Sequence, residues 1–332
     1  MDLSPTIKDI ALRAGVSYAT VSRALNNHPE VSKATREKVL HLAKEMGYRP
    51  NAIARGLVTK ETRTIGLVLP DITNPFFPEV ARGVEEAASE SGYSVFLCNT
   101  DWSSDREEEH LYALMQKQVD GFIVAPSSDQ LIHLLKILDA GCKAVFISGV
   151  ISHPNSVSII IDNVRGAQMA VEHLLEKGHR KIGFVGGVQD VATNNERFLG
   201  YRKALDNWGI GLEWDYIRKG DFRREGGLVV TKELLCLKQR PTAIFAANDL
   251  TALGVLQAVK EEGLAIPQDV AVVGFDDIQF ASLPEIELTT IAQPKFQMGR
   301  LAFQKLLQIN KEDGPAKERI ILRPELVVRK TS

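Results

Sequence analysis

The chain is 332 residues long, 44% hydrophobic and 25% charged, with a formal net charge of −2 at neutral pH; a soluble chain of this size buries a sizeable core and divides into two or three domains. Three isolated cysteines, Cys98, Cys142 and Cys236, sit in apolar runs without a CxxC or Cys/His cluster, which reads as reduced core thiols and implies no disulfide framework and no zinc site. The charge is unevenly spread: residues 1 to 63 carry 11 Lys/Arg against 6 Asp/Glu, and the rest of the chain 29 against 36. A basic head on an acidic body is the electrostatic footprint of a polyanion-binding protein, although a short charge run is by itself usually a solvated face. Met1-Asp2-Leu3-Ser4-Pro5 has no basic n-region ahead of an apolar h-region, and no window approaches the length of a membrane span. A cytoplasmic protein, neither exported nor embedded, is expected.

In chain order, Thr6 with Asp9 three residues on reads as a capping box, and Ile7, Ile10, Ala11 and Ala14 fall on one face of the helix that follows. Gly15 stops it. Ser17 can cap a second helix with Val21, Ala24 and Leu25 inward, and Tyr18, Ala19, Ser22 and Arg23 on the opposite face. A third starts after Ser32, buries Val39, Leu42, Ala43 and Met46, and ends at Gly47. Two helices joined by a tight Gly-containing turn and backed by a third make a helix-turn-helix, whose second helix can lie in the major groove. Tyr18, Ala19 and Arg23 would then reach base edges, Arg23 suited to guanine and Ala19 to a thymine methyl. Ser17, Thr20, Ser22, Asn26, Arg36 and Lys38 suit phosphates, which position a protein without reading sequence. A plain three-helix bundle with a polar surface is the competing reading, and it leaves the positive balance unexplained.

The segments "TIKDIALRAGVSYATVSRALN", "VSKATREKV", Met46-Gly47-Tyr48-Arg49-Pro50-Asn51 and "NAIARGL" resemble the LacI/GalR family of bacterial transcription regulators, and the resemblance runs through essentially the whole chain. It implies a helix-turn-helix head over 1–50, a hinge helix and linker over 51–63, and an effector-binding and dimerisation body over 64–332. In the hinge, Asn51 and Ala54 take positions that contact DNA, and Leu57 takes that of the side chain wedged into the minor groove. A helix of about two turns is marginal in water, and Gly56 weakens it further, so it should fold only on DNA beside a partner hinge. The resemblance thus implies a homodimeric, sugar-responsive repressor with operator DNA as its macromolecular partner and no cofactor.

Beyond Arg63 apolar runs alternate with helical stretches: "TIGLVLP", "YSVFLCN", "DGFIVAP", "AVFISG", "SVSIIID", "KIGFVGG", "AIFAAND", "VAVVGF" and "TTIAQP" read as buried strands. That pattern predicts βαβ units with parallel sheets covered on both faces, where ligands bind at the carboxyl ends of strands. The expected fold is a small all-α head plus an α/β periplasmic-binding-protein-like body of two doubly wound parallel-sheet lobes. The resemblance implies three crossovers, placed here near Asp162, Gln293 and Pro324. One lobe would combine 64–161 with 295–323, the other 162–293 with 324–332.

The polar residues cluster at those strand ends. Asn74 before Pro75 reads first as an N-cap, while Phe76 and Phe77 cannot both belong to one buried helix face. The resemblance places Asn74, Phe76 and Phe77 toward the effector, with Arg197 of "ERFLGY", Phe222 of "GDF", Asn248 of "AAND", Asp276 of "GFDDI" and Gln293 of "IAQP". Asp249 is assigned to capping the helix after Asn248, and Asp277 is left as a further cap. Aromatic platforms with Asn, Asp, Arg and Gln suit a polyhydroxylated ligand, since each hydroxyl both donates and accepts. Where ribose-type relatives carry an acidic residue followed by Arg or an aromatic after the fourth strand, this chain has Ser148-Gly149, which disfavours ribose and leaves room for a larger sugar.

The chain lacks GxGxxG after its strands, GxxxxGK[ST], GxSxG and HExxH, and His173 and His179 are spaced too widely for a helical metal pair. No enzymatic role is expected. A second regulatory reading, a catabolite-control-type protein whose effector is a phosphorylated carrier protein, is compatible with Arg300 at the lobe edge. A dimer is preferred over a tetramer because the chain stops at "RPELVVRKTS" without an added helical tail.

Overall fold

The computed structural model describes residues 5–25, 27–48, 61–311 and 317–332, which form two compact units, Met1–Thr62 and Arg63–Ser332. The first is built on α1 (Ile7–Ala14), α2 (Tyr18–Leu25) and α3 (Lys33–Glu45). Asp9 Oδ2 accepts from the Thr6 amide and hydroxyl, each at 2.7 Å, and so ties down the start of α1. Gly15 ends α1 in the left-handed region at φ 69°, open to glycine without cost. Ile10, Val21, Ala24 and Val39 close a small apolar core between the three helices.

The second unit alternates strands and helices. In the first lobe β1 (Thr64–Leu69), α4 (Phe76–Glu90), β2 (Ser94–Asn99), α5 (Ser104–Gln116), β3 (Phe122–Val124), α6 (Ile132–Asp139), β4 (Ala144–Ile147) and β5 (Ser156–Ile161) follow in turn. In the second come α7 (Asn163–Glu176), β6 (Ile182–Val185), α8 (Ala192–Asn207), β7 (Ile217–Arg218), α9 (Arg224–Leu235), β8 (Ala243–Ala246), α10 (Asp249–Glu261), β9 (Ala271–Asp276) and β10 (Thr289–Ala292). The chain then returns to the first lobe through α11 (Lys295–Lys311) and β11 (Glu318–Leu322), and crosses again to β12 (Glu325–Val327).

Two six-stranded sheets result among the described residues, ordered β11-β5-β4-β3-β1-β2 and β12-β10-β9-β8-β6-β7. Every pair is parallel except β10 with β12. Buried Val, Ile, Leu and Phe runs on the central strands let helices cover both faces. The order reverses between β1 and β3 in one sheet and between β6 and β8 in the other, so each lobe has a switch point where the loops after adjacent strands diverge and leave a crevice. Strands β7, β11 and β12 were absent from the expected set; β7 is two residues long, and the other two alternate exposed and half-buried side chains, which an apolar-run criterion misses. Cys236 also departs from expectation. It is exposed at the end of α9, because a helix C-terminus turns away from the core there. No helix among the described residues is long and apolar enough to cross a membrane.

Candidate functional site

On the first unit, Ser17 Oγ accepts the Thr20 amide at 3.1 Å and caps α2, and its hydroxyl also shares a proton with that of Thr20 at 2.9 Å. The helix then presents Tyr18, 65% exposed, and Arg23, also exposed, with half-buried Ala19 and Ser22 between them. Arg23 has one loose counter-ion, Glu30 at 3.3 Å, across a solvent-exposed gap; such a pair is worth little and gives way readily to a stronger anion. Arg36, expected at phosphates, is turned inward. Its guanidinium donates to the carbonyl oxygens of His28, at 2.7 Å, and Val31, and so staples the loop between α2 and α3. Asn26, Asn51, Ala54 and Leu57, with the hinge around them, lie outside the described residues.

In the second unit, residues from both lobes border one cleft holding about 440 Å³ of space free of protein atoms, counted out to its mouth. Asn74, Phe76, Phe77, Arg197, Phe222, Asn248 and Asp276 all border it, on the segments that follow β1, β6, β7 and β8 and at the end of β9. Gln293 is the exception. It sits behind the wall and donates from Nε2 to Asp276 Oδ1 at 2.6 Å.

The capping assignments need correction. Asn74, expected at the N-cap with Pro75 as the first helical residue, stands one residue earlier: Pro75 is the N-cap of α4, and Asn74 Oδ1 accepts the Phe76 amide at 3.1 Å in an Asn turn ahead of it. Phe76 and Phe77 are both buried in one apolar cluster, both border the cleft, and meet edge to face at 5.0 Å. Asn248, not Asp249, caps α10. Its Oδ1 accepts the Thr251 amide at 2.9 Å while Nδ2 donates to the Phe222 carbonyl at 3.0 Å. Asp249 is fully buried one residue inside the helix, where its carboxyl receives Ile278 N–H at 2.8 Å and Thr290 Oγ1–H at 2.5 Å. Asp277 caps nothing and pairs with Arg329 at 2.8 Å.

Asp276 and Arg197 form the polar centre of the second lobe. Arg197 lies over the Phe275 ring at 3.8 Å, donates to Asn163 Oδ1 at 3.0 Å and the Ala247 carbonyl at 2.5 Å, and stands 3.4 Å from Asp276. Burial pushes the Asp276 carboxyl above its ordinary range, with Arg197 and Lys295 pulling it back. For Asp249, burial and the neighbouring Asp276 charge act together and raise it well above the usual carboxylate value. Lys295 Nζ donates to the Asp276 and Asp277 carbonyls at 2.8 and 2.6 Å and holds the turn that aims Asp276. That turn is costly in itself: Asp276 and Asp277 have φ 117° and 52°, and Asp101, Trp102, Ser148 and Phe222 around the same cleft are also left-handed.

Trp102 escaped the sequence reading. It follows β2 in "TDWSS", a polar turn whose single large ring was the available signal. It stacks on Phe222 across the cleft at 5.2 Å, so the two lobes touch through aromatic faces. Its Nε1, like Gln293 Oε1, is shut from solvent without a hydrogen-bond partner among the described residues. Arg223 adds an ion pair between lobes, 2.5 Å to Asp101 and 3.7 Å to Asp71. Arg300 is held by Glu86 and by a two-pronged contact with Glu90 on α4.

A basic helix-turn-helix unit joined to a two-lobed α/β unit with a polar, aromatic-walled cleft defines a ligand-responsive regulatory protein. The model of bacterial regulatory proteins of the lacI family matches residues 6–51, and that of periplasmic binding protein-like domains matches 171–332. The chain is 36% identical over 312 residues to catabolite control protein A of Priestia megaterium, covering 93% of this chain and 94% of that one. It superposes on a lac repressor dimer bound to operator and the anti-inducer ONPF with a TM-score of 0.88 at 30% identity, covering 99% of each chain. For the transcriptional regulator CelR in complex with cellobiose, the TM-score is 0.74 at 34% identity, over 99% of this chain and 100% of that one. The chain belongs to the LacI family of DNA-binding transcriptional regulators.

Proposed function

We propose that the protein is a homodimeric repressor that binds a pseudopalindromic operator and is switched by a small sugar-like effector held between its lobes. The observation that carries this is the cleft itself: charged, amide and aromatic side chains from both lobes border one space, and the Trp102 N–H among them has no hydrogen-bond partner among the described residues. Neutral hydroxyl-bearing rings match that lining, because Asp276 and Arg197 already balance one another and leave no charge to neutralise. The related lac repressor dimer binds operator and CelR binds cellobiose, which supports the same division of labour here. Residues 1–50 form the reading head, 51–63 the hinge, and 64–161 with 295–323 and 162–293 with 324–332 the two lobes.

In the head, Tyr18, Ala19 and Arg23 read base edges, while Thr6, Ser17, Thr20, Ser22 and Asn26 contact backbone; Asn51, Ala54 and Leu57 engage the minor groove. A two-fold protein matches a two-fold site. Effector shifts the Trp102–Phe222 and Arg223–Asp101 contacts between lobes, and that change biases the separation of paired heads by differential binding to two states. The carrier-protein reading is less favoured, since Arg300 already has two carboxylate partners. Titrating operator DNA by fluorescence anisotropy, with and without each member of a sugar panel, tests the proposal. Operator affinity should change about fivefold to 150-fold with one sugar, and an operator titration that no small sugar alters would refute the effector assignment.

A further inference from the structure

The cleft does not end at its aromatic walls. A second chamber with about 500 Å³ of atom-free space adjoins it, bordered by Ser128, Asp129, Val150, Ala192 and Glu196. Pro126, Ser148 and Val191 border both chambers. The junction depends on Gly149, where a Cβ would stand only 2.7 Å from Pro126 Cγ; a side chain there would have to displace the proline that forms the shared wall.

The two chambers differ in chemistry. The first offers the rings of Phe77, Trp102 and Phe222, the unpartnered Trp102 N–H and the mutually balanced Arg197 and Asp276. The second has the carboxyls of Asp129 and Glu196, two serine hydroxyls, and apolar Leu131, Val150 and Ile160, with no lysine or arginine among its lining residues. Glu196 Oε2 accepts from Asn163 Nδ2 at 2.8 Å; the Asp129 amide donates across the lobe boundary to the Asp190 carbonyl at 2.7 Å, and its carboxyl Oδ2 accepts from Asn195 Nδ2 at 3.4 Å. Two carboxyls repel a phosphate or carboxylate and accept hydrogen bonds from hydroxyls. The two chambers share the walls formed by Pro126, Ser148 and Val191, so a ligand of two linked rings would reach from one into the other.

We propose that the effector is an uncharged disaccharide, with one ring against the aromatic walls of the first chamber and the other among the Asp129 and Glu196 carboxyls of the second. This rests on the reading that the cleft is the effector site. It makes the second ring the element that discriminates between sugars, because it touches one lobe through Asp129 and the other through Glu196.

The test uses the full-length protein, calorimetry and thermal melting against cellobiose, maltose, lactose and sucrose, beside glucose, galactose, fructose, ribose, glucose 6-phosphate and cytidine. One disaccharide should bind about tenfold or more tightly than its component monosaccharides, the yield of a few added hydroxyl contacts. Ala192→Phe, which fills the second chamber alone, should remove that advantage and leave monosaccharide affinity within about twofold. Val150→Phe fills the same chamber from its exposed side and gives the same reading should Ala192→Phe not fold. A monosaccharide, glucose 6-phosphate or cytidine binding as tightly as any disaccharide overturns the inference, as does a disaccharide whose affinity neither folded variant alters. If the protein binds operator DNA yet no sugar of either size raises its melting temperature, the effector reading falls and this inference with it.

Discussion

Arg23 and Asp276 test the two sites at single side chains. Arg23 is exposed on α2 and, among the described residues, is countered by the weak exposed charge of Glu30, so its guanidinium is available to a base edge. Replacing it with alanine should cost about 1–3 kcal/mol at one operator position and relax discrimination there, measured against single-base operator variants. An equal loss on random DNA would assign Arg23 to phosphate instead. Asp276 is buried against Arg197 and Gln293, so Asp276→Asn should leave operator affinity intact while abolishing the effector-induced change. A normal effector response in that variant would take Asp276 out of the site. Asp249 carries a pH prediction. Its folded-state carboxyl holds a proton to higher pH than in the unfolded chain, so the native state binds more protons and stability falls as pH rises above the ordinary carboxylate range. Asp249→Asn should flatten the fall in melting temperature from pH 5 to pH 8, and an unchanged slope would show that another group sets it. At this scale Asn248 and Asp276 were legible as polar residues at the ends of apolar runs, whereas Asn74, Phe76, Phe77, Arg197 and Phe222 were placed at the cleft by the family resemblance. It gave the helix cap to Asp249 where Asn248 both caps α10 and borders the cleft, since adjacent residues at a helix start differ only in which side chain points back along the helix.

Elements meet here through small residues. Gly83 on α4 and Gly299 on α11 face each other's backbones, and a Cβ at Gly83 would stand 2.1 Å from the Phe296 carbonyl oxygen. Gly83→Ala should therefore push α4 from α11 and destabilise the second unit by about 1–3 kcal/mol or more, read by denaturant unfolding. Native stability in that variant would mean the helices slide without cost. Strands of four to six apolar residues, such as β1, β5 and β9, were legible from their runs. β7, β11 and β12 were not, because an edge strand pairs on one side, keeps half its side chains wet, and so carries no apolar signature.

Across the whole molecule, the positive balance of residues 1 to 63 should make operator binding fall steeply with salt, with a log-log slope near −0.9 per phosphate neutralised. Because Met1–Thr62 and Arg63–Ser332 each pack around their own cores, a chain starting at Arg63 should keep its effector-induced rise in melting temperature and lose operator binding. The sequence by itself determined the class of each part: helical periodicity and caps specify the head, and buried runs separated by amphipathic helices specify parallel-sheet lobes. Both are local patterns that chain spacing alone enforces. Only tertiary structure decided that Trp102 meets Phe222, that Arg223 reaches Asp101, and that Ser148 borders both the cleft and the space lined by Asp129 and Glu196. Those contacts join residues far apart in the chain, and their distances are set by how two lobes pack, a quantity no local pattern contains.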